Sequence, residues 1–332
     1  MDILVANNHL ARTGGTENYT YTIAEELLRL GHNVEYFTFE KGFVSDLLES
    51  KGIKFKSKYI YDLIIANHTS TIKKLHRNGF IIQTCHGIFP ELEQPSEFSD
   101  AFVAITKEVH DNLKLKNISS KIILNGINCN RFNSKNDLND NLKTVLSLCQ
   151  SEEANDFIRD CCLEIGVQFI KADKFIENDW NVENLINSAD LVVGIGRSAY
   201  DAMACGRTVL SYDKRPYSEA WGDGYLNSSN ILKSIEFNCS GRGLKRKFDK
   251  ELFIKELLKY DKKDGLFFLN FSNKELNIKV QVDKYLKIIP TYKLKFFKIK
   301  KKIILIYEKL IIELIKFIAK HFLINFKSID LK

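Results

Sequence analysis

Gly194, Gly196 and Arg197 stand where a short apolar run, Leu191–Val193, gives way to a run of helix-forming small residues, 198–205. A helix that opens directly after a glycine-rich strand end aims several unpaired N–H groups at one point, and anions settle there. The Arg197 guanidinium adds a fork of donors matched to phosphate oxygens. A phosphate-bearing ligand is the first expectation. The same residues also suit an ordinary strand–turn–helix whose arginine faces solvent.

Two other places carry chemistry of a compatible kind. Cys85-His86-Gly87 follows the strand expected at 80–84, and a histidine at a strand end is suited to contacting a ligand or moving a proton. A hydrogen-bonded loop histidine fits the pattern equally well. Gly14 and Gly15, ahead of Thr16-Glu17, open a helix after the first strand, and glycines there let a ligand approach the backbone. Strict G-x-G-x-x-G is absent, so a merely structural glycine pair suits the spacing nearly as well.

Positioning these residues requires an alternating α/β chain. Residues 2–6 read as a buried strand, 14–30 as a helix striped by Ile23, Leu27 and Leu30 and stopped by Gly31, and 33–39 as a second strand: a βαβ unit. Helices follow at 43–51, 69–77 and 107–116, and strands at 62–66, 80–84, 101–105 and 121–124. Thr106 is a plausible N-cap, with Val109 in place of a capping-box acid. The polar run 130–141 is the best domain boundary. Beyond it the alternation resumes with strands at 144–148 and 167–170 and helices at 152–165 and 181–187, delivering the chain to the glycine-arginine segment. Residues 212–224 read as loop, with Glu219, Trp221 and Asp223 able to cover a ligand, and 240–247 as a basic solvated turn. Residues 249–260 are helical, and further helices fall within 264–289.

Composition narrows the class. At 332 residues, 45% hydrophobic and 27% charged, the chain is an ordinary folded protein with room for two α/β units. Seven scattered cysteines without a Cys-x-x-Cys pattern indicate neither a zinc site nor a disulfide framework, and a reducing compartment is the easier reading. Entry straight into strand residues predicts no secretory signal, and no apolar run is long enough for a spanning helix. The net charge of +7 is matched by 293–320 alone, where nine lysines face Glu308 and Glu313. The body is near neutral, which argues against nucleic acid gripped across the domains.

From Tyr292 the pattern changes. Ile303, Ile306, Leu310, Ile311, Leu314 and Ile315 lie among lysines, of which Lys302, Lys309, Lys316 and Lys320 recur at sevens and a four along one helical rim. Such a helix lies in an anionic bilayer surface. Packing on the protein, or a coiled contact, uses the same face.

In order along the chain, Gly14-Gly15-Thr16-Glu17, Cys85-His86-Gly87, Leu124-Asn125-Gly126-Ile127-Asn128 and the segment 189–209 resemble the landmarks of GT-B glycosyltransferases of the glycosyltransferase 4, or group 1, type. The resemblance covers roughly residues 2–289. It implies an α/β GT-B fold: two Rossmann-like domains facing a cleft, 1–128 for the acceptor and 129–290 for a nucleotide-diphosphate sugar, with 291–332 the basic amphipathic helical tail. It further implies transfer with retention and no metal or cofactor, the nucleotide sugar being a substrate. By the same resemblance, Gly14 and Gly15 lie near the donor diphosphate and His86 near the transferred sugar and acceptor. Gly196, Arg197, Ser198 and Ala199 fall where donor phosphates or sugar approach, and Asp201 where an acid contacts the ribose. His86 and Arg197 are the catalytic expectations.

Two landmarks differ. Counting back eight from Asp201 reaches Val193 in place of the family's other acid, and Leu146-Ser-Leu-Cys-Gln-Ser-Glu-Glu153 lacks the usual Arg and Lys after the second domain's first strand. Arg197 or, less well placed, Arg207 would replace that charge. The expected function is sugar transfer to a saccharide or lipid-linked acceptor in cell-surface polysaccharide or glycolipid assembly, such as lipopolysaccharide or capsule, peripherally at the cytoplasmic face of the membrane. The alternatives are a transferase with a soluble or protein acceptor, and a noncatalytic membrane-associated partner of another transferase.

Overall fold

The computed structural model describes residues 1–172, 180–215 and 219–289, together with 299, 303, 306, 307, 310–318 and 320. The first sheet holds β1 (Asp2–Ala6), β2 (Asn33–Phe37), β3 (Lys54–Phe55), β4 (Leu63–Ala66), β5 (Ile81–Cys85), β6 (Ala101–Ala104) and β7 (Lys121–Ile122). Their order is β3-β2-β1-β4-β5-β6-β7, all parallel. The second holds β8 (Thr144–Ser147), β9 (Gln168–Lys171), β10 (Leu191–Val193), β11 (Thr208–Tyr212) and β12 (Gly222–Tyr225). Its order is β12-β11-β10-β8-β9, with only β12 antiparallel.

Helices cover both sheets, which is why the central strands are apolar throughout: β4 and β10 are buried at every position. The first unit contributes α1 (Gly15–Arg29), α2 (Phe43–Ser50), α3 (Thr69–Leu75) and α4 (Lys107–Leu115). The second contributes α5 (Glu152–Glu164), α6 (Val182–Asn187), α7 (Arg197–Ala204), α8 (Ile231–Ile235), α9 (Lys250–Leu257) and α10 (Lys262–Phe271). Thr106 caps α4 as expected, its Oγ1 accepting from the Val109 N–H at 3.2 Å.

Three elements escape the hydrophobic pattern. β3 is two exposed residues, and α8 a single five-residue helix. β12, expected as loop, is an edge strand with no apolar alternation. The Gly222 amide donates to the Arg246 carbonyl at 2.9 Å, and the fully buried Asp223 carboxylate accepts from Ser234 Oγ and the Leu244 amide. Asp223 is therefore a structural acid and covers no ligand.

The polar run after residue 128 is stitched to the outside of the second unit. Asp190 accepts from the amides of Asn139, Lys143 and Thr144, and the buried Arg207 donates to the carbonyls of Cys205, Ala189 and Asn136. Among the described residues the chain crosses between the units twice. The Ile127 N–H donates to the Leu276 carbonyl and the Ile278 N–H to the Ile127 carbonyl, both at 2.8 Å. The chain then returns as α11 (Ile278–Leu286), whose Ile278, Val282 and Tyr285, with Ile289 beyond it, enter the core of the first unit.

All seven cysteines are free. The expectation for 291–332 falls largely outside the described residues. Residues 310–318 are helical, and Leu310, Ile311, Leu314 and Ile315 are 54–61% exposed. Among the described residues no helix is long and apolar enough to cross a membrane.

Candidate functional site

Each sheet reverses its strand order once, between β1 and β4 and between β8 and β10, and the crevice outside such a reversal is where open α/β sheets bind ligands. Here the two crevices face each other across a cleft of about 890 Å³. The β1–α1 loop, the end of β5, the hinge (the crossing segment at Asn125–Ile127, which contributes Asn125), the β8–α5 loop and the start of α7 line it.

The first unit's corner of the cleft is a closed polar network. Glu17, 4% exposed, accepts from Asn7 Nδ2 at 3.0 Å and Thr16 Oγ1 at 2.9 Å. Asn67 Nδ2 donates to Thr20 Oγ1 at 2.8 Å and Asn7 Oδ1 at 3.4 Å, leaving Asn67 Oδ1 to meet His86 Nε2 at 3.1 Å. Burial, then the charges of His68 and Arg197, lower the His86 pKa to about 3. A neutral imidazole that donates from Nε2 keeps its lone pair on Nδ1. The ring sits edge-on to Tyr19 at 4.8 Å, and the Tyr19 hydroxyl is tied to Tyr285 of α11 at 2.6 Å. His86 is thus held as a hydrogen-bonding group and is a poor proton acceptor near neutral pH.

The two amino-terminal glycines do different work. A Cβ on Gly14 would stand 2.1 Å from Glu17 Oε2, whereas a Cβ on Gly15 would meet nothing within 4 Å. Gly14 makes room for the buried acid, and Gly15 keeps the cleft face of α1 open to a ligand.

On the opposite side Gly196 has a φ of +60°, a conformation glycine adopts without cost, and it turns the chain from β10 into α7. Ser198 and Asp201 line the cleft, with Asp201 3.5 Å from Arg197 Nε. Arg197 reaches back to the first unit, donating to Thr22 Oγ1 at 3.2 Å and to the Gly126 carbonyl at 3.3 Å. The expected fork on an open phosphate site is therefore also a tie between the two units. Ala199 does not join the site. Its methyl is buried in the second unit's core, and its N–H donates to the Gly196 carbonyl at 3.1 Å.

Several buried polar atoms of the cleft lack a hydrogen-bond partner among the described residues. They are Asn18 Oδ1 on α1, Asn125 Oδ1 at the hinge, and Arg197 Nε and Asn238 Oδ1 on the second unit. Buried polar groups are nearly always paired, so their convergence marks a place where a polar ligand belongs.

Other side chains of the cleft were not singled out by sequence. Arg12 comes from the β1–α1 loop, and Arg215, expected only as loop, follows β11 with its Nε 2.8 Å from Asp213. Arg242, expected on a solvated basic turn, instead forms a two-pronged pair with Glu108 of α4 at 2.6 and 2.7 Å, joining the units at the rim. Glu93 lines the first unit's side. The signal for Arg12 and Arg215 is positional: each follows an interior strand of its sheet. Arg207 is the opposite case, spent on backbone carbonyls away from the cleft. Val193 is buried within β10, so no carboxylate stands there, and Gln150 lines the cleft where the missing basic pair would be. Among the described residues no group of three His, Cys, Asp or Glu side chains could hold a metal ion.

No protein-family model matches this chain, and no curated protein does. Its likeness to solved structures is one of fold. Anabaena Alr3699/HepE in complex with UDP and glucose superposes with a TM-score of 0.55 at 14% identity, over 86% of this chain and 99% of that one. A mutant of S. aureus TarM, in complex with Fondaparinux, alpha-GlcNAc-glycerol and UDP, gives 0.52 at 10% identity over 86% and 99%. The glycotransferase of kitacinnamycin gives 0.52 at 10% identity over 87% and 99%. The architecture is the two-domain GT-B arrangement, a cleft between two α/β sheets.

Proposed function

We propose that this chain is a glycosyltransferase that moves a sugar, with retention, from a nucleotide-diphosphate donor to a saccharide or lipid-linked acceptor. The observation that carries the reading is the set of unsatisfied polar atoms at the meeting of α1, the hinge and α7, between two facing crevices. The GT-B neighbours HepE and TarM are recorded with UDP, which supports a uridine donor as the first to try.

Breaking the bond from the anomeric carbon to phosphate builds positive charge on the sugar and negative charge on the departing diphosphate. Gly15, the Arg197 and Ser198 amides at the start of α7, and the Arg197 guanidinium offer the donors that stabilise the leaving charge. An acceptor hydroxyl attacks from the face the diphosphate leaves, forming the new C–O bond, and the leaving phosphate oxygen takes the hydroxyl proton. No protein base is then required, which suits a His86 held neutral. His86 positions sugar or acceptor through Nδ1, and Asp201 takes the ribose hydroxyls.

The acceptor belongs to cell-surface polysaccharide or glycolipid assembly, met at the cytoplasmic face of the membrane. What supports this is the apolar exposure of 310–318 beside Lys316 and Lys320, in a segment whose lysines carry the chain's positive charge. Half-exposed isoleucines and leucines flanked by lysine match an anionic bilayer surface. Liposomes containing anionic lipid should bind the whole chain and lose it when 292–332 is removed; equal binding by both removes the membrane assignment.

The central test is a screen of nucleotide sugars for binding, hydrolysis and transfer, with Arg197→Ala and His86→Ala. Wild type should bind and turn over a donor. Arg197→Ala should weaken donor affinity by roughly tenfold to a hundredfold, the range for a lost charge-assisted contact. Val193 in place of an acid favours one other reading, a noncatalytic partner of another transferase. Folded protein that binds no nucleotide sugar would establish that reading over ours.

A further inference from the structure

Glu93 is a carboxylate the proposed chemistry leaves unused. It closes a short 3-10 turn, Glu91–Glu93, in the loop between β5 and β6, and it lines the same cleft as His86. Its two neighbours in charge on that loop, Glu91 and Glu97, are exposed, whereas Glu93 is half-buried. An alanine at position 87 would put its methyl 3.0 Å from Glu93 Oε2, so the carboxylate lies over Gly87, next to His86.

The loop is held rather than loose. Gln83, fully buried in β5, donates to the Gln94 carbonyl at 2.8 Å and accepts from the Ser96 amide at 2.7 Å. Gln94 Nε2 in turn donates to the carbonyls of Ile88 and Pro90. The position of Glu93 beside His86 is therefore built into the first unit.

No hydrogen bond or ion pair reaches the Glu93 carboxylate among the described residues, and the charges around it explain why. Glu17 on α1 is acidic, and His86 is neutral. Lys116, at the C-cap of α4, is spent on Gln94 Oε1 at 2.7 Å, and Arg242, facing from the second unit, is paired with Glu108. Arg12 on the β1–α1 loop lines the cleft and is exposed to solvent. Phe89, 60% exposed on the same loop, lines the cleft too and offers an aromatic platform, with the Arg242 guanidinium 5.7 Å from its ring centre.

We propose that Glu93 selects the acceptor: its carboxylate takes hydrogen bonds from a neutral, hydroxyl-rich saccharide end resting on Phe89, and turns away ends that carry a carboxylate or phosphate. The inference rests on the transferase reading and deepens it by naming the acceptor's charge. Burial, with Glu17 second, raises the Glu93 pKa to about 7, so the discrimination strengthens as the solution passes from mildly acid to mildly alkaline.

The test is calorimetry on the full chain, loaded with whichever of UDP, GDP or ADP binds best. The acceptor probes are p-nitrophenyl β-D-glucopyranoside and p-nitrophenyl β-D-glucuronide, one ring with and without a carboxylate. At about pH 8 the glucoside should bind at least about tenfold tighter than the glucuronide, since facing like charges cost well over that factor when partly desolvated. The gap should narrow at about pH 6, where the Glu93 carboxyl is mostly protonated. Glu93→Gln should abolish the gap, and Glu93→Asp should keep it, with nucleotide affinity unchanged in both. Equal binding of the two probes by wild type, a gap that survives Glu93→Gln, or no binding of either probe overturns the proposal. Failure of every nucleotide to bind wild type overturns the transferase reading instead, and this one with it.

Discussion

The polar groups in the first unit's corner of the cleft are one another's partners, whereas where α1, the hinge and α7 meet, Arg197 ties Thr22 to Gly126 and several other buried polar atoms are left over. Asn7, Glu17, Asn67 and His86 form a connected set of hydrogen bonds. Asn18, Asn125, Asn238 and the Nε of Arg197 each carry a buried atom that finds none among the described residues. A satisfied network fixes geometry and contributes to folding; unsatisfied atoms cost stability in the free protein and are repaid on binding. The difference separates a preorganised wall, against which sugar and acceptor are positioned, from a wall left open for a ligand. It also yields opposite expectations for the same kind of substitution on the two sides.

The largest effect belongs to the satisfied wall. Asn7→Leu removes a donor from the buried Glu17 carboxylate and an acceptor from Asn67 Nδ2 together. Leaving a buried acid underpartnered costs roughly 2–4 kcal/mol. Urea unfolding followed by circular dichroism reads the loss. A change below about 0.5 kcal/mol, the range of an ordinary surface substitution, would break the idea that this corner is structurally integrated.

Second in size is an acid response confined to the same wall. Burial lowers the pKa of His68 to about 4, with His9 a smaller cause, and that of His86 to about 3. Both values lie below the ordinary 6.5 of an unfolded chain. The unfolded state therefore binds more protons between those limits, and stability falls as the solution is acidified. The contribution is fully present above pH 6.5 and is lost progressively as pH falls toward the folded values. Thermal unfolding from neutral to mildly acid pH should show this slope, and a His68→Gln, His86→Gln double variant should flatten it. A slope of the same steepness in the double variant would mean that other groups set the acid sensitivity.

How much of this was legible in the sequence follows from what each residue had to signal. The strands and helices around both crevices carry strong apolar periodicity, so their existence and order are readable, as are the positions of Gly15, His86 and Gly196 at strand ends or helix starts; Asp201, inside α7, is singled out only by the family resemblance. Ala199 falls outside the site because helical phase at the first turn decides which of three adjacent residues faces the core. Arg197 reads from sequence as a fork aimed at a ligand, since sequence does not reveal that Thr22 and Gly126 come within reach across the cleft. Asn238 gives no signal in the sequence, and Asn125 does so only as part of the landmark turn 124–128; an asparagine in a turn satisfies a local rule, and only the assembled cleft leaves these oxygens unpaired. β12 hid because its register is fixed by Asp223 and the Gly222–Arg246 pair, with no alternation of apolar residues. Arg242 hid for a related reason, since a basic turn reads as solvated until Glu108 is brought opposite it.

The smallest effect is the most discriminating between the two walls. Asn18 lies inside α1, where leucine has the better helix propensity, and its buried Oδ1 has no partner to lose. Asn18→Leu should therefore leave stability unchanged or raise it by up to about 1 kcal/mol, the reverse of Asn7→Leu eleven residues earlier in the chain. The same substitution removes a polar atom offered to the ligand, and nucleoside diphosphate affinity should fall by about tenfold, one hydrogen bond's worth. Unfolding and calorimetry on one sample read both quantities. A destabilised Asn18→Leu would mean that this oxygen has a partner in solution, and an undiminished affinity would place the ligand elsewhere in the cleft. Stability and affinity moving in opposite directions is what an open wall requires, because only a group kept unsatisfied for a ligand is a burden to the free fold and an asset to the complex.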